Sequence, residues 1–241
     1  MNYLYGILMS WGMFTILPCP YRGWKEEARG HMLVAFPVIG VIIGLIWYLL
    51  YLVTISLPMY LRCVIIAALP WVITGFIHLD GYMDVCDAIL SRRDIEAKRR
   101  ILKDSRVGAF AVICLSLLML TQAASVMSLS ESGNGAGLLL IPIASRICAS
   151  VAVINMKPMG SSQYSEFKRV RTFTVILILM LLAIMSVWLF WVRLGIVVTV
   201  TCITYFACAL YGNKMLGGMN GDISGYALTI AELAGIIGLI I

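Results

Sequence analysis

The chain has 241 residues, 61% hydrophobic and only 12% charged, with a mean hydropathy of +0.97. A soluble domain is about 45–50% apolar and about 25% charged, so disorder and an ordinary water-soluble fold are both excluded: disorder needs the reverse balance, and a chain this short cannot hide so much apolar surface from water. The net charge of +6 reads as the Lys and Arg that collect in cytoplasmic loops of bilayer proteins, and without a basic stripe interleaved with aromatics no nucleic-acid partner is expected.

In chain order, the first apolar segment, Tyr3–Leu17, stops at Leu17-Pro18-Cys19-Pro20 and is expected to lie in the interface or re-enter. It lacks a basic n-region and a cleavage site, so it does not read as a cleaved signal. Seven longer runs follow at Leu33–Val53, Cys63–Leu79, Gly108–Leu129, Leu138–Met156, Thr172–Val192, Leu194–Gly212 and Tyr226–Ile241. Each approaches the length a tilted helix needs to cross about 30 Å of hydrocarbon. The expected fold is all-α: one integral membrane domain over residues 1–241, a polytopic helical bundle with seven transmembrane helices. The seven cysteines form no CxxC pair and sit mostly in apolar runs, the usage of small buried hydrophobes.

The loops then orient the chain. Tyr21–Met32, Asp80–Val107, Lys157–Arg171 and Asn213–Gly225 hold fifteen of the 18 basic residues. Thr54–Arg62, Ser130–Gly137 and the Arg193 corner hold two, Arg62 and Arg193. This asymmetry puts the first set in the cytoplasm and the chain in the cell (inner) membrane as a multi-pass protein. The longest polar loop, Ser91–Val107, reads as a solvated positive-inside loop or as an electropositive rim for a polyanionic substrate. Its middle, Asp94–Leu102, has the pattern of a short amphipathic helix.

The carboxylates are few and unevenly placed. Asp80, Asp84 and Asp87 fall at offsets of 0, +4 and +7, which at about 100° per residue puts them on one helical face at the cytoplasmic end of the second run. Three like charges on one stripe at a membrane boundary are costly unless a cation binds them. A hard divalent ion such as Mg²⁺, bridging to substrate phosphates, is the natural partner. Asp104, in Lys103-Asp104-Ser105-Arg106, and Asp222, in the glycine-rich stretch Gly217–Gly225, come to the same face by topology. The alternative is a set of helix N-terminal carboxylates. Gly217, Gly218, Gly221 and Gly225 suit backbone contact with phosphate or close helix packing; Gly40 and Gly44 read better as packing. His78 points away from Asp80 on a regular helix, which makes it a poor ligand for the same ion and leaves a structural or substrate-contact role. Arg146 is intramembrane and thus a functional candidate, pairing with a carboxylate or reaching a phosphate. Lys103 and Arg106 could neutralise a transferring phosphoryl group.

Membrane-embedded Asp clusters suggest Mg²⁺-dependent transfer from a diphosphate. The CDP-alcohol phosphotransferase pattern fits only in part, because the Ala-Arg pair is missing, and the prenyltransferases need a second Asp-rich box. The chain resembles the cobalamin synthase family much better. The matching stretches are Phe14–Pro20, Phe36–Gly44, Gly75–Asp87, Leu102–Gly108, Ser145-Arg146 and Leu216–Asp222, in the family's order. The box His-x-Asp-Gly-x2-Asp-x2-Asp followed by Lys-Asp-Ser-Arg-x-Gly is the specific part. Tyr82-Met83 and Asn220 depart from the family's usual residues without removing a carboxylate.

The resemblance implies transfer of the adenosylcobinamide-phosphate moiety of adenosylcobinamide-GDP to α-ribazole or its 5′-phosphate, with release of GMP. It implies Asp80, Asp84, Asp87 and Asp104 as Mg²⁺ ligands and Asp87 or Asp104 as base. Arg106, Lys103 and Arg146 would face the diphosphate, and His78, Gly218 and Asp222 would contact substrate. Membrane lipid is the expected surrounding, and assembly as a homo-oligomer stays open. The competing expectations are another diphosphate-dependent membrane transferase or an ion-coupled transporter.

Overall fold

The computed structural model describes residues 2–132, 135–160, 170–185, 188 and 191–241. The fold is helical: α1 (Asn2–Phe14), α2 (Arg29–Val53), α3 (Met59–Ile73), α4 (Ile77–Leu90), α5 (Ile95–Ile101), α6 (Ala109–Ser132), α7 (Gly137–Asn155), α8 (Val170–Met185), α9 (Val192–Leu216) and α10 (Gly221–Ile240). Among the described residues there is no sheet, only an isolated parallel bridge between Pro158 and Met219.

Among the described residues five helices, α2, α6, α7, α9 and α10, are long and apolar enough to cross a bilayer, and α3 with α4 makes a sixth if that bent pair is one span. The protein is therefore a multi-pass membrane helical bundle. The run expected at Thr172–Val192 is described only in part: α8 covers its beginning, while residues 186, 187, 189 and 190 lie outside the described residues, as do 161–169 of the basic loop Lys157–Arg171 and 133–134 of the loop Ser130–Gly137. The N-terminal segment forms α1, whose 13 residues span about 20 Å at 1.5 Å per residue, too short to cross. It lies against α2, with Gly6 beneath His31 and the Ser10 hydroxyl donating to the Met32 carbonyl at 2.8 Å.

Helices α2 and α7 pack through Gly40 and Gly44, where a Cβ would meet the backbone at Pro142–Ile143 and Leu139. The small-residue packing expected there is what the structure has. Side chains such as Leu49, Val64, Leu117, Leu120 and Ile203 stay exposed, as an apolar face suited to lipid.

The second apolar run departs from expectation. Its helix stops at Ile73, and the chain turns by 88° into α4. Hydropathy is blind to the break because both sides are apolar. The turn is a helix-terminating motif: Gly75 takes φ +60° and Phe76 φ +63°, the Gly75 N–H reaches the Val72 carbonyl at 3.0 Å, and the Phe76 N–H reaches Trp71 at 2.8 Å. These paired bonds satisfy the last carbonyls of α3, with glycine at the left-handed position. Phe76 is the unusual member, since left-handed backbone on a bulky residue costs about 1–3 kcal/mol. His78 and the carboxylates thus belong to a new helix, α4, and not to a straight continuation of α3.

Candidate functional site

Helix α4 is amphipathic with the helical period. His78, Leu79, Gly81, Tyr82, Val85, Cys86, Ala88 and Ile89 are buried, while Asp80 is exposed and Asp84 and Asp87 are half-buried on the other side. Tyr82 ties α4 to α6 through its hydroxyl, which donates to the Cys114 carbonyl at 3.1 Å, and stacks on Tyr226 of α10 with ring centroids 5.9 Å apart. Gly81 lets α10 come close: a Cβ there would lie 2.9 Å from the Asp222 Cα. Gly225 does the same one turn on, against the His78 backbone at 3.0 Å.

This seam brings the carboxylates of two helices together. Asp84 lies within electrostatic reach of Asp80, Asp222 and Asp87, and the groups acting on it are carboxylates without a cation among them. Asp222 also feels Asp80. Asn220 caps α10, accepting from the Ile223 N–H at 3.0 Å while its amide donates to Asp222 at 2.7 Å. The acid face predicted for α4 and the contribution of Asp222 therefore stand as one negative seam. Among the described residues no three His, Cys, Asp or Glu side chains converge on a single ion position. Asp80, Asp84 and Asp222 nonetheless present hard oxygen donors with uncompensated charge, which suits Mg²⁺ held by one or two carboxylates plus substrate phosphate rather than by an all-protein cage.

The other two candidate ligands have partners of their own. Asp87 accepts the Ala111 N–H at 3.2 Å and so caps the start of α6; a Cβ at Gly108 would overlap its carboxylate. Asp104 is gripped by Arg106, whose Nε and Nη2 donate at 3.0 and 2.7 Å. That pair holds the Asp104 carboxyl well below the usual range, at about 2, and raises the Arg106 guanidinium. Asp87, Asp104, Arg93 and Arg106 line one shallow cavity of about 450 Å³, and Lys103 stays exposed beside it.

A second cavity, about 430 Å³, opens on the far side of α4. His78, Phe14 and Phe36 form its aromatic wall, and Asn220, Asp222 and Ser224 its polar lining. His78, unsuited to the metal stripe, faces this cavity instead, and its Nε2 is buried without a partner.

Arg146 is fully buried and forms an ion pair with Glu232 of α10. Its Nη1 also donates to the Ser145 hydroxyl oxygen at 3.0 Å. The carboxylate it meets is not one of the Asp cluster, because the pairing spans the bundle interior and depends on α7 and α10 packing together. Gly218 is buried, and its bare face is taken by the chain at Pro158–Met159, where the Met159 N–H donates to the Met219 carbonyl at 2.8 Å. The close approach it permits is to protein backbone. Gly217 closes α9 with φ +74°, and only Gly221 of that glycine set has open space at its Cα.

Three features around the site escaped the sequence reading. Glu232 sits in an apolar run with no neighbour in sequence to announce its partner. The aromatic wall joins residues from α1, α2 and α4. Arg99, placed in a solvated basic loop, reaches the end of α9, its Nε and Nη2 donating to the Leu216 and Gly217 carbonyls at 2.8 and 2.9 Å. The amphipathic helix itself forms as expected, with Asp94 accepting the Ala97 N–H at 2.8 Å; Leu102 is buried in the core while Ile95 remains exposed.

The family model for cobalamin-5-phosphate synthase matches residues 6–240. A protein of Clostridium perfringens (strain SM101 / Type A) named adenosylcobinamide-GDP ribazoletransferase is 38% identical over 96% of this chain and 95% of its own length. Proteins of the same name from Clostridium botulinum (strain Alaska E43 / Type E3) and Brevibacillus brevis (strain 47 / JCM 6285 / NBRC 100599) are 36% and 30% identical, covering 98% and 91% of this chain and 96% and 91% of their own lengths. No solved structure matches the chain. The chain belongs to the cobalamin-5-phosphate synthase family.

Proposed function

We propose that this member of the cobalamin-5-phosphate synthase family is an adenosylcobinamide-GDP ribazoletransferase. It joins adenosylcobinamide phosphate to α-ribazole or its 5′-phosphate. A ribose hydroxyl oxygen forms a bond to the phosphorus attached to the cobinamide, the phosphoanhydride bond to GMP breaks, and the hydroxyl proton passes to a base. The observation that carries this reading is the carboxylate seam between α4 and α10, which supports phosphoryl transfer because its charge needs a cation.

In this reading Asp80, Asp84 and Asp222 are the residues that would hold Mg²⁺. When bound, the ion neutralises charge on the phosphoryl group in transfer. Asp87 is the better base of the two named, since one of its oxygens is oriented by α6 while Asp104 is tied to Arg106 and binds a proton weakly. Lys103 and Arg106 form an electropositive rim that attracts the nucleotide. The excess of Lys and Arg in the loops on this side supports a site at the cytoplasmic face of the inner membrane.

The test is GMP release by the protein in liposomes, supplied with adenosylcobinamide-GDP and α-ribazole phosphate, with Mg²⁺ or with EDTA. Release should require both substrates and the metal. Release that ignores α-ribazole phosphate, or that survives EDTA unchanged, removes the transferase or the metal reading respectively.

A further inference from the structure

The cavity behind α4 meets the carboxylate seam only at Asp222, and the rest of its lining, aromatic and apolar, is not used by the metal reading. Three rings stand together: Phe14 and Phe36 with centroids 4.5 Å apart, and His78 at 6.0 Å from each, nearly parallel to Phe14. Leu33, Val153 and Met159 continue the apolar lining. The same lining includes Asn220, Gly221 and Asp222, so the apolar chamber and the carboxylate seam share Asp222. His78 is nine-tenths buried, and its Nε2 is buried without a hydrogen-bond partner. A buried polar atom left alone carries an unpaid desolvation penalty, which a ligand atom would remove.

We propose that this cavity is the subsite for the aromatic base of α-ribazole, with the bicyclic ring against Phe14 and Phe36, its free imidazole nitrogen accepting a hydrogen bond from His78 Nε2, and its ribose directed toward Asp222. The proposal rests on the transferase reading above and deepens it.

Size and polarity select this ligand among the reactants. A volume of about 430 Å³ is at the small end of ligand pockets, which run from about 300 to 1,000 Å³, and excludes a corrin ring. Guanine would fit by size. Its edges, however, carry several donors and acceptors, and among the described side chains that line the cavity His78 alone has a buried polar atom without a partner, so the others would be buried unpaired. A benzimidazole has one free ring nitrogen and an otherwise apolar outline, so one donor meets one acceptor. The shared Asp222 matters too, because a base lodged at the rings leaves the sugar to the part of the lining that belongs to the α4–α10 seam. Arg146 lies under this wall, its guanidinium carbon 5.9 Å from the Phe36 ring centroid, and so acts as a positioning residue for Phe36.

The experiment pairs a ligand change with a residue change. The full-length protein in nanodiscs is given the ribosides of 5,6-dimethylbenzimidazole and of 5,6-dimethylindole, which lacks the acceptor nitrogen. Binding is read from the intrinsic fluorescence of the ring without the second substrate, and turnover from GMP release. The wild type should prefer the benzimidazole at least about tenfold, since a site built to hydrogen-bond an atom rejects the analogue without it. His78→Leu should erase the preference, and His78→Gln, which keeps a donor, should restore part of it. Phe36→Leu should raise KM for both ribosides and leave KM for adenosylcobinamide-GDP unchanged.

Equal preference in the wild type and His78→Leu overturns the proposal. A KM change confined to adenosylcobinamide-GDP also overturns it and gives the cavity to the nucleotide. If His78→Leu fails to fold, the wild-type preference and Phe36→Leu decide the matter alone. Absence of GMP release with both natural substrates would sink the transferase reading, whereas the fluorescence binding reads the cavity independently of it.

Discussion

Helix α10 carries two carboxylates in opposite situations. Glu232 lies in the dry interior and is matched by Arg146, with Ser145 donating to it at 3.1 Å. Asp222 lies at the helix start, beside a cavity, among like charges from α4. Burying a charge is tolerable only with a partner, and the fold supplies one where the environment is closed. Where the environment is open to a ligand, it leaves the partner out. The same helix thus separates a structural ion pair from a seam of like charges, which is where the proposed cation would bind.

The sharpest way to break this contrast is Asp84→Asn. Losing one preorganised electrostatic group of this kind costs about 100- to 1,000-fold in kcat, and GMP release should fall by that range. Stability should not fall with it, because one of several mutually repelling charges has gone. A thermal midpoint in lipid equal to or above wild type, with turnover lost, supports the seam as a ligand site. Turnover within a fewfold of wild type would make Asp84 an ordinary boundary residue.

Glu232→Gln should show the reverse pattern. It strands the Arg146 guanidinium in the core, at a cost of about 3–5 kcal/mol, seen as a lower thermal midpoint. Replacing both partners, Arg146→Met with Glu232→Leu, should recover most of the loss, since no buried charge is left uncompensated. If the double variant is stable but inactive, Arg146 serves the substrate as well as Glu232.

Gly81 and Gly221 give a smaller and more local comparison. A methyl at Gly81 meets the Asp222 backbone at 2.9 Å, so Gly81→Ala must push α4 from α10, with an overpacking penalty of about 1–3 kcal/mol and a loss of turnover. A methyl at Gly221 meets nothing within 4 Å, so Gly221→Ala should leave the thermal midpoint unchanged. Equal effects at the two positions would show that the seam does not depend on this close approach.

These contrasts mark how far local pattern reaches. The stripe of Asp80, Asp84 and Asp87 was legible because helical period alone decides it, and Gly40 and Gly44 were legible as packing because small residues one turn apart have few other uses. The multi-pass helical bundle followed from composition. The break at Gly75–Phe76 was hidden inside a continuous apolar run; the signal available was Gly75 itself, a residue suited to left-handed backbone. Arg146 was recognisable as special but not its partner, since Glu232 meets it only after α7 and α10 have packed. His78 could be turned away from the metal stripe by geometry, yet the rings it joins come from α1 and α2, and no sequence pattern links them. The same holds for Arg99 at the end of α9.

Asp104 and Arg106 supply the mildest test, because both are partly or wholly exposed and such pairs contribute little at neutral pH. Arg106 lowers the Asp104 carboxyl from its ordinary 3.8 to about 2. A depressed carboxylate contributes its stability above the unfolded value and loses it as pH falls through the folded one. The pair should therefore be intact above about pH 4 and loosen between about 4 and 2, leaving neutral-pH stability flat. Arg106→Ala should return the carboxyl toward 3.8, measurable by carbon-13 NMR of labelled Asp, with a change in thermal midpoint near pH 7 too small to resolve. The variant also distinguishes the two candidate bases. If Asp104 took the hydroxyl proton, raising its proton affinity would move the acidic limb of the GMP-release profile upward in pH. If Asp87 takes it, that limb stays in place, and Arg106→Ala shows only a higher KM for adenosylcobinamide-GDP that rises further with salt, as expected for one charge lost from an electropositive rim.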